Sequence, residues 1–236
     1  MNAGRTARDR ARAELTQEIK DAARRQLAAE GAERLSLRAV SRELGMVSSA
    51  LYRYFPSRDE LLTALIIDAY NALGSEAETA AKNEAEPRAA WLAVCQTVRA
   101  WAIKHPQEYA LIYGSPVAGY QAPESTIQPA GRVAFVLLGI LAQAQASGVL
   151  APPADAPEPN PVLAEQLDTL AEFAPGVPPK ILARTMIAWT QLYGMISFEL
   201  FGHLVGTMDP ADEFFADATG QLATFLGLSA GARGPS

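Results

Sequence analysis

The chain has 236 residues, of which 49% are hydrophobic and 19% charged, and this composition excludes wholesale disorder and predicts a substantial buried core. Its charged N-terminus lacks an apolar segment behind it, its longest apolar run (133–142) is too short to span a bilayer, and its lone Cys95 permits no internal disulfide, so we expect a cytoplasmic protein. A formal net charge of −6 at pH 7, taken alone, argues against a nucleic-acid partner.

The N-terminal residues have helical periodicity. Apolar residues on one face, between Leu15 and Leu27, predict a first helix that ends at Gly31. Ser36 is placed to cap a short second helix that stops at Gly45. We therefore expect two helices before residue 45.

A third and a fourth helix are predicted to follow directly. Ser48 is placed to cap a short helix that ends near Phe55, because a residue before proline avoids helical backbone. Ser57 and Glu60 form a capping box, in which each side chain satisfies a backbone N–H of the other. This capping box predicts the start of a long helix that is apolar on one face from Leu61 onward.

The rest of the chain is also predicted to be helical, with loops where proline and glycine cluster. One helix is expected to begin at Pro87, and others are expected over 106–113, over 132–146 and from about Lys180 to Val205. A last helix is expected to follow Asp209-Pro210, which would cap it. The stretches 115–123 and 151–161 predict loops. Because no window alternates as a β-strand does, the sequence predicts an all-α fold of about nine or ten helices.

The residues around Gly45 have the spacing of a helix-turn-helix. Ser41, four residues before the glycine, is small enough for two helices to cross closely, and Leu51, six residues after it, is an apolar anchor for the second helix. The outward face of that second helix would fit a DNA major groove. An ordinary helical hairpin has the same spacing, so these residues alone leave both interpretations open.

The run from Ser36 to Leu61, SLRAVSRELGMVSSALYRYFPSRDEL, closely resembles the DNA-binding domain of the TetR/AcrR family of transcriptional regulators. The shared signature is the small-x3-Gly turn, then Leu51-Tyr52-x-Tyr54-Phe55, Ser57-Arg58 and Glu60-Leu61. The resemblance implies a DNA-binding domain in residues 1–60, with a basic N-terminal arm, and a helical ligand-binding and dimerisation domain in residues 61–236. It also implies a ligand-responsive regulator, most often a repressor that a small molecule releases from a palindromic operator.

The resemblance also implies roles for individual residues. Ser36 matches a position that meets a phosphate at a helix N-terminus, Tyr52 matches a tyrosine that contacts the DNA backbone or a thymine methyl, and Arg58 matches a basic residue that anchors phosphate. Tyr54 replaces the commoner histidine, which leaves its contact open. The predicted DNA-facing residues are Ser36, Arg38, Ser48, Ser49, Tyr52, Arg53, Tyr54, Ser57 and Arg58.

Two groups of N-terminal arginines have two interpretations each. Arg38 and Arg42 either contact phosphate or form a solvated helical face, and we favour Arg38 because it lies in the first turn of its helix. A second group precedes the first predicted helix and forms either a flexible arm that reaches the minor groove or a solvated tail. This second group consists of Arg5, Arg8, Arg10 and Arg12.

The distribution of charge changes the first impression given by the net charge. Residues 1–60 hold 12 Lys and Arg against 9 Asp and Glu, whereas residues 61–236 hold 8 against 17. A basic end on an acidic body is expected when one end meets phosphate and the rest stays soluble.

The predicted helix from Lys180 to Val205 is apolar around most of its circumference, so it must be buried on more than one side. Gly194 permits close backbone approach, and we expect this helix and the last one to form a homodimer interface, as in the family. Trp189-x3-Tyr193-Gly194 resembles a subgroup of the family that carries Trp-x3-His-Gly. Glu199 lies among apolar residues and is interpreted as a lone polar edge rather than a ligand contact.

A ligand-responsive regulator needs a cavity, and such cavities are mostly apolar with a few polar groups. Each aromatic residue on the middle helices is either a cavity wall or plain core, and the sequence leaves both interpretations open. The candidate ligand-binding residues are Trp101, Tyr109, Tyr113, Phe135, Trp189 and Tyr193.

Other classes of function fit the sequence less well. It has no cluster with metal-ligand spacing, no phosphate-binding glycine loop and no nucleophile beside a base, so no cofactor, metal site or catalytic residue is predicted. Its two histidines, His105 and His203, are interpreted as structural. The alternatives are a DNA-binding regulator without a small-molecule inducer and a small all-helical enzyme; non-specific DNA packaging conflicts with the acidic body.

Overall fold

The computed structural model describes residues 3–228 except residues 152 and 155, and of residues 3–6 it describes the backbone alone. Across this part of the chain there are ten α-helices and no β-strand, which confirms the predicted all-α fold. In chain order the helices are α1 (Ala3–Glu30), α2 (Leu37–Glu43), α3 (Ser48–Leu51), α4 (Arg58–Lys82), α5 (Pro87–Lys104), α6 (Pro106–Tyr113), α7 (Ile127–Ala146), α8 (Pro161–Ala171), α9 (Pro179–Leu200) and α10 (Asp212–Phe225).

The first of two compact units runs to Asn71 and includes His105–Ala130. Its core brings together apolar side chains of α1, α2, α3 and the start of α4, and Ile19, Val40 and Leu51 are fully buried there. Helices as short as α2 and α3 are unstable in isolation. Burial of each such side chain stabilises the fold by about 1.5–3 kcal/mol, and this packing holds the two short helices in place.

The second unit contains Ala72–Lys104 and the chain from Gly131 onward. Within it α5, α9 and α10 pack against one another, and α8 packs on α9. Trp91, Ile181 and Phe215 are among its largest fully buried side chains. The core of this unit is therefore formed by residues far apart in the sequence.

Helix α7 lies in the one described segment, Glu124–Ala146, that is long and apolar enough to span a bilayer, with a mean hydropathy of 1.4. Core helices of soluble proteins meet the same criterion. Val133, Leu137 and Leu141 are at most 3% exposed. These three residues of α7 thus contribute to a protein core.

Two predicted helix boundaries near the C-terminus are wrong. Helix α9 ends at Leu200 rather than Val205, because Gly202 and Gly206 adopt φ angles of 80° and 79° and turn the chain into left-handed backbone. The residue that caps α10 is Ala211, so Asp209-Pro210 precedes the cap. The last helix itself is where the sequence predicts it.

The predicted proline-rich loop is followed by a helix, α8, that the sequence analysis left unassigned. Asn160 accepts a hydrogen bond from the backbone N–H of Leu163 at 3.0 Å, and Pro161 occupies the first helical position. The described residues of 151–160 are non-helical, as predicted, and residues 152 and 155 of that loop lie outside the described residues.

Candidate nucleic-acid interface

A glycine turn joins α2 to α3, as the sequence predicts. Gly45 has a φ of 63°, a left-handed conformation that residues with a Cβ rarely adopt. The backbone N–H of Met46 donates to the carbonyl of Ser41 at 2.8 Å and closes the turn. The two helices therefore form a helix-turn-helix rather than one continuous helix.

The two helices cross at a pair of serines. Ser41 is 1% exposed, and its hydroxyl donates to the carbonyl of Arg38 at 3.0 Å. Since that hydroxyl proton is used, the Ser48 hydroxyl is the donor in the 3.1 Å contact between the two Oγ atoms. The residue at the N-cap of α3 is Val47, so the expectation that Ser48 caps this helix is wrong. Ser48 instead begins α3 and connects it to α2.

Helix α3 and the turns after it separate into a buried and an exposed side. Leu51 is fully buried and Phe55 is 7% exposed, so both anchor the segment in the core. On the other side, Tyr52 is 43% exposed, and Ser49 and Arg53 are exposed as well. The backbone N–H of Tyr52 still donates to the carbonyl of Ser48 at 3.1 Å, which extends the helical path beyond α3. Arg38 on α2 is exposed too.

Tyr54 packs between α3 and α1. It is half-buried against the core of the first unit, and the guanidinium of Arg12 lies 5.4 Å from the centre of its ring, a cation–π contact. Arg12 belongs to α1, and so do Arg8 and Arg10, which lie in a helix and not in an arm that precedes it. The Arg5 side chain lies outside the described residues.

Ser36 and Ser57 are both found at helix N-termini. Ser36 is at the N-cap position of α2, as predicted, and its backbone N–H donates to the side-chain oxygen of Gln26 at 3.1 Å. The Ser57 hydroxyl accepts from the backbone N–H of Glu60 at 3.1 Å, which confirms the serine half of the predicted capping box. Ser57 is exposed at the start of α4.

Arg58 is surrounded by groups of the protein itself. Its Nη2 donates to the carbonyls of Ala32 and Glu33 at 2.9 and 3.2 Å, and its Nε donates to the carbonyl of Leu35 at 3.2 Å. Its Nη1 lies 3.5 Å from the carboxylate of Asp59. The sequence does not predict these contacts, because backbone carbonyls leave no signal in it.

The six candidate ligand-binding aromatics fall into separate clusters. In the first unit the rings of Tyr109 and Tyr113 are 5.2 Å apart, and Tyr109 is fully buried. In the second unit Trp189 packs on Tyr193 at 4.7 Å, and Phe135 stacks on Phe173 at 4.4 Å. The remaining candidate, Trp101, is 2% exposed. Burial this deep favours the core interpretation for Trp101, Tyr109 and Tyr193.

The second unit contains a buried ion pair that sequence reasoning missed. Arg99 is 4% exposed and donates through Nε and Nη2 to the two carboxylate oxygens of Glu199, at 2.7 and 2.6 Å. Its Nη1 donates to Asp212 at 3.0 Å, and the hydrogen bond with Glu199 is the main reason that the pKa of Arg99 is raised. Glu199 is therefore a paired residue, and its interpretation as a lone polar edge is wrong. No local pattern joins residues so distant in sequence.

Two short helices with a glycine turn, a buried anchor and an exposed polar face form the helix-turn-helix of DNA-binding proteins. Residues 19–65 match the family model for bacterial regulatory proteins of the tetR family, and residues 91–222 match the model for the tetracyclin repressor-like C-terminal domain. The chain belongs to the TetR family.

Individual relatives agree with this assignment. HTH-type transcriptional regulator Rv1816 of Mycobacterium tuberculosis is 38% identical over 213 residues, which cover 87% of this chain and 90% of that protein. The crystal structure of the regulatory protein SCO4313 has a TM-score of 0.74 and 33% identity, over 92% of this chain and 98% of that one. A protein of unknown function from Rhodococcus sp. RHA1 has the same fold, with a TM-score of 0.69, 22% identity and coverage of 90% and 95%. The chain is thus a DNA-binding transcriptional regulator.

Proposed function

We propose that the chain is a cytoplasmic, homodimeric repressor that binds a palindromic operator through residues 1–60 and is released by a small molecule bound to residues 61–236. The observation that carries the DNA-binding part is the exposed side of α3. Tyr52 and Arg53 project from the turns that directly continue α3, and the opposite side of this segment, with Leu51, is fixed in the core. Such a helix presents its polar side chains without further folding when it enters a major groove.

We propose that the DNA contacts extend from α3 to its neighbours. Exposed arginines attract phosphate, and the exposed serines are small enough for the DNA backbone to approach closely. The basic excess of residues 1–60 supports the same orientation on DNA. The proposed contact residues are Ser36, Arg38, Ser48, Ser49, Tyr52, Arg53, Tyr54 and Ser57. Arg58 contributes through the segment that it holds.

For the dimer we propose a face formed by α9 and α10. On α9, Ile187 and Phe198 are 50% and 56% exposed, three turns apart on one side of the helix. Between them lies Gly194, where an added Cβ would meet nothing within 4 Å, which leaves room for a partner backbone. Beside it, Met195, Phe214 and other residues of α9 and α10 line an open groove of about 440 Å³. A two-fold dimer spaces two helix-turn-helix units about 34–36 Å apart, one turn of DNA.

The proposed effector acts by binding one of two conformations more tightly, since a ligand shifts an equilibrium only through such a difference. Its proposed binding residues are aromatic, and Trp189 and Phe135 are the candidates in the second unit that retain some exposure. Tyr193, Trp101, Tyr109 and Tyr113 complete the proposed set, with plain core packing as their alternative.

The proposal is tested by sequencing the genomic DNA fragments that the purified full-length protein retains at physiological salt. We expect enrichment of a two-fold symmetric sequence, bound at least a thousandfold more tightly than random DNA. The genes beside the retained fragments then suggest which small molecules to test for release. Equal affinity for all fragments would contradict sequence-specific regulation.

A further inference from the structure

Four consecutive carbonyls between α1 and α2 accept hydrogen bonds from only two side chains. Arg58 donates to Ala32, Glu33 and Leu35, as described above. The fourth carbonyl, that of Arg34, accepts from Nε2 of Gln26 at 3.2 Å. Gln26 also accepts from the backbone N–H of Ser36. We call residues 32–36 the entry segment, because it leads directly into α2.

The entry segment is held by these hydrogen bonds and by one buried side chain. Leu35 is 3% exposed and anchors the end of the segment in the core, whereas the side chains of Ala32, Glu33 and Arg34 are exposed or half-buried and contribute little hydrophobic packing. Gln26 is 9% exposed and Arg58 is 29% exposed, so both side chains are partly or wholly shielded from competing water. Hydrogen bonds from a charged donor in such surroundings are stronger than those between neutral groups.

We propose that Arg58 is a positioning residue, which fixes the start of α2 and thereby the orientation of α3 on DNA, and that it does not contact phosphate. All three guanidinium nitrogens are already engaged. If the group turned toward a phosphate, the carbonyls of Glu33 and Leu35 would lose this charged donor, and that of Ala32 would be left with the backbone N–H of Leu35 at 3.3 Å. The inference rests on the proposed interface, because it explains how α3 is held there.

Two features connect the entry segment to α3 and separate Arg58 from phosphate. The segment ends at Ser36, the N-cap of α2, and α2 contacts α3 through the hydroxyls of Ser41 and Ser48. The sequence neighbours Asp59 and Glu60 are exposed carboxylates that would repel a phosphate near Arg58.

The test compares Arg58→Lys and Arg58→Ala in full-length protein, with Arg53→Ala as the matched control, by measuring operator affinity over a range of salt concentrations. Lysine keeps the charge but lacks the planar fork that reaches three carbonyls. For both Arg58 variants we expect a loss of roughly tenfold or more with an unchanged slope of log affinity against log salt, whereas Arg53→Ala lowers that slope by about one. If Arg58→Lys binds like the wild type, or if Arg58→Ala lowers the slope by about one, the inference is wrong.

A second variant and a second measurement keep the test independent of global folding. Gln26→Leu removes the other side chain that holds the entry segment without changing charge, and we expect the same loss of affinity with the same salt slope. Amide hydrogen exchange measured without DNA should rise in residues 32–36 of Arg58→Lys, Arg58→Ala and Gln26→Leu, and it should stay unchanged in α9. Unchanged exchange in that segment would overturn the inference. If the Arg58 and Gln26 variants bind normally while Arg53→Ala binds weakly, the inference fails and the interface stands; if Arg53→Ala also binds normally, the proposed interface is wrong.

Discussion

The helix-turn-helix and the second unit place their polar groups in opposite ways. In residues 36–55 the arginines and Tyr52 are exposed, and buried neighbours within a few residues hold them outward. In the second unit Arg99 is buried, and its partner Glu199 is 100 residues away. One arrangement leaves side chains available for a partner, whereas the other uses them for internal contacts. The first arrangement is typical of a binding surface, and the second is typical of a structural core.

The largest expected effect concerns the buried ion pair. Arg99→Met removes one partner and leaves the Glu199 carboxylate unpaired, which should lower the free energy of unfolding by about 3–5 kcal/mol. Denaturant unfolding at fixed protein concentration measures this free energy. Arg99→Met combined with Glu199→Leu should recover most of the loss, since replacing both members of a buried pair is often neutral. A double variant as unstable as the single one would contradict this account, in which the loss of stability comes from the unpaired Glu199 carboxylate.

The proposed dimer face should be the next most sensitive region. Phe198→Glu places a charge in the apolar stripe of α9 and should weaken dimerisation by about 2–4 kcal/mol, the range of a buried interface anchor. Sedimentation at several concentrations measures the association. Ile103→Glu is the control, because Ile103 is another exposed apolar side chain, 47% exposed, on a helix outside the proposed face. Equal dissociation in both variants would exclude a specific role for α9.

Two glycines sharpen the comparison of the two regions. Gly45→Ala forces a residue with a Cβ to adopt a φ of 63° and should lower stability by about 1–2 kcal/mol, although the site is sterically open. Gly139→Ala, at an open and exposed position inside α7, should instead raise stability by about 0.5–1 kcal/mol. Thermal unfolding of both variants measures the difference. A neutral Gly45→Ala would mean that the turn tolerates another conformation.

The smallest expected effect is a pH dependence in the second unit. Arg132 donates to Glu78 at 2.8 Å, and this hydrogen bond holds the pKa of Glu78 below its usual value. The stabilisation is therefore complete above the usual pKa and is lost as the pH falls through the lowered one. Since the Glu78 side chain is 36% exposed, Glu78→Gln should cost less than about 1 kcal/mol at pH 7. The deficit should shrink in acid, and Glu84→Gln is the control for loss of an exposed charge.

Local signals in the sequence predicted much of the fold. The turn at Gly45, the anchor at Leu51 and the capping serine at Ser57 follow from spacings of a few residues, and each lies where it was expected. Helix α8 had a local signal too, since Asn160-Pro161 is a capping pair, but the preceding prolines obscured it.

The unpredicted features depend on contacts between distant residues or on backbone atoms. The end of α9 depended on which glycines adopt positive φ, and an apolar pattern does not decide that. The expectation that Ser48 caps α3 was wrong because the hydroxyl of Ser48 bonds to Ser41 on another helix, and the local sequence does not show that contact. The surroundings of Arg58 are carbonyls 23–26 residues away, and family resemblance alone assigned that residue to phosphate.

The central claim, that the exposed side of α3 and of the turns after it binds DNA, is tested most directly by measuring the operator affinity of Tyr52→Ala. Tyr52 is 43% exposed, so its removal should leave unfolding and dimerisation unchanged. Loss of one good contact costs about 1–3 kcal/mol, so affinity should fall roughly tenfold to a hundredfold. The control Ile103→Ala, another exposed large side chain, should bind like the wild type. Unchanged affinity of Tyr52→Ala would contradict the placement of the DNA-binding surface on α3.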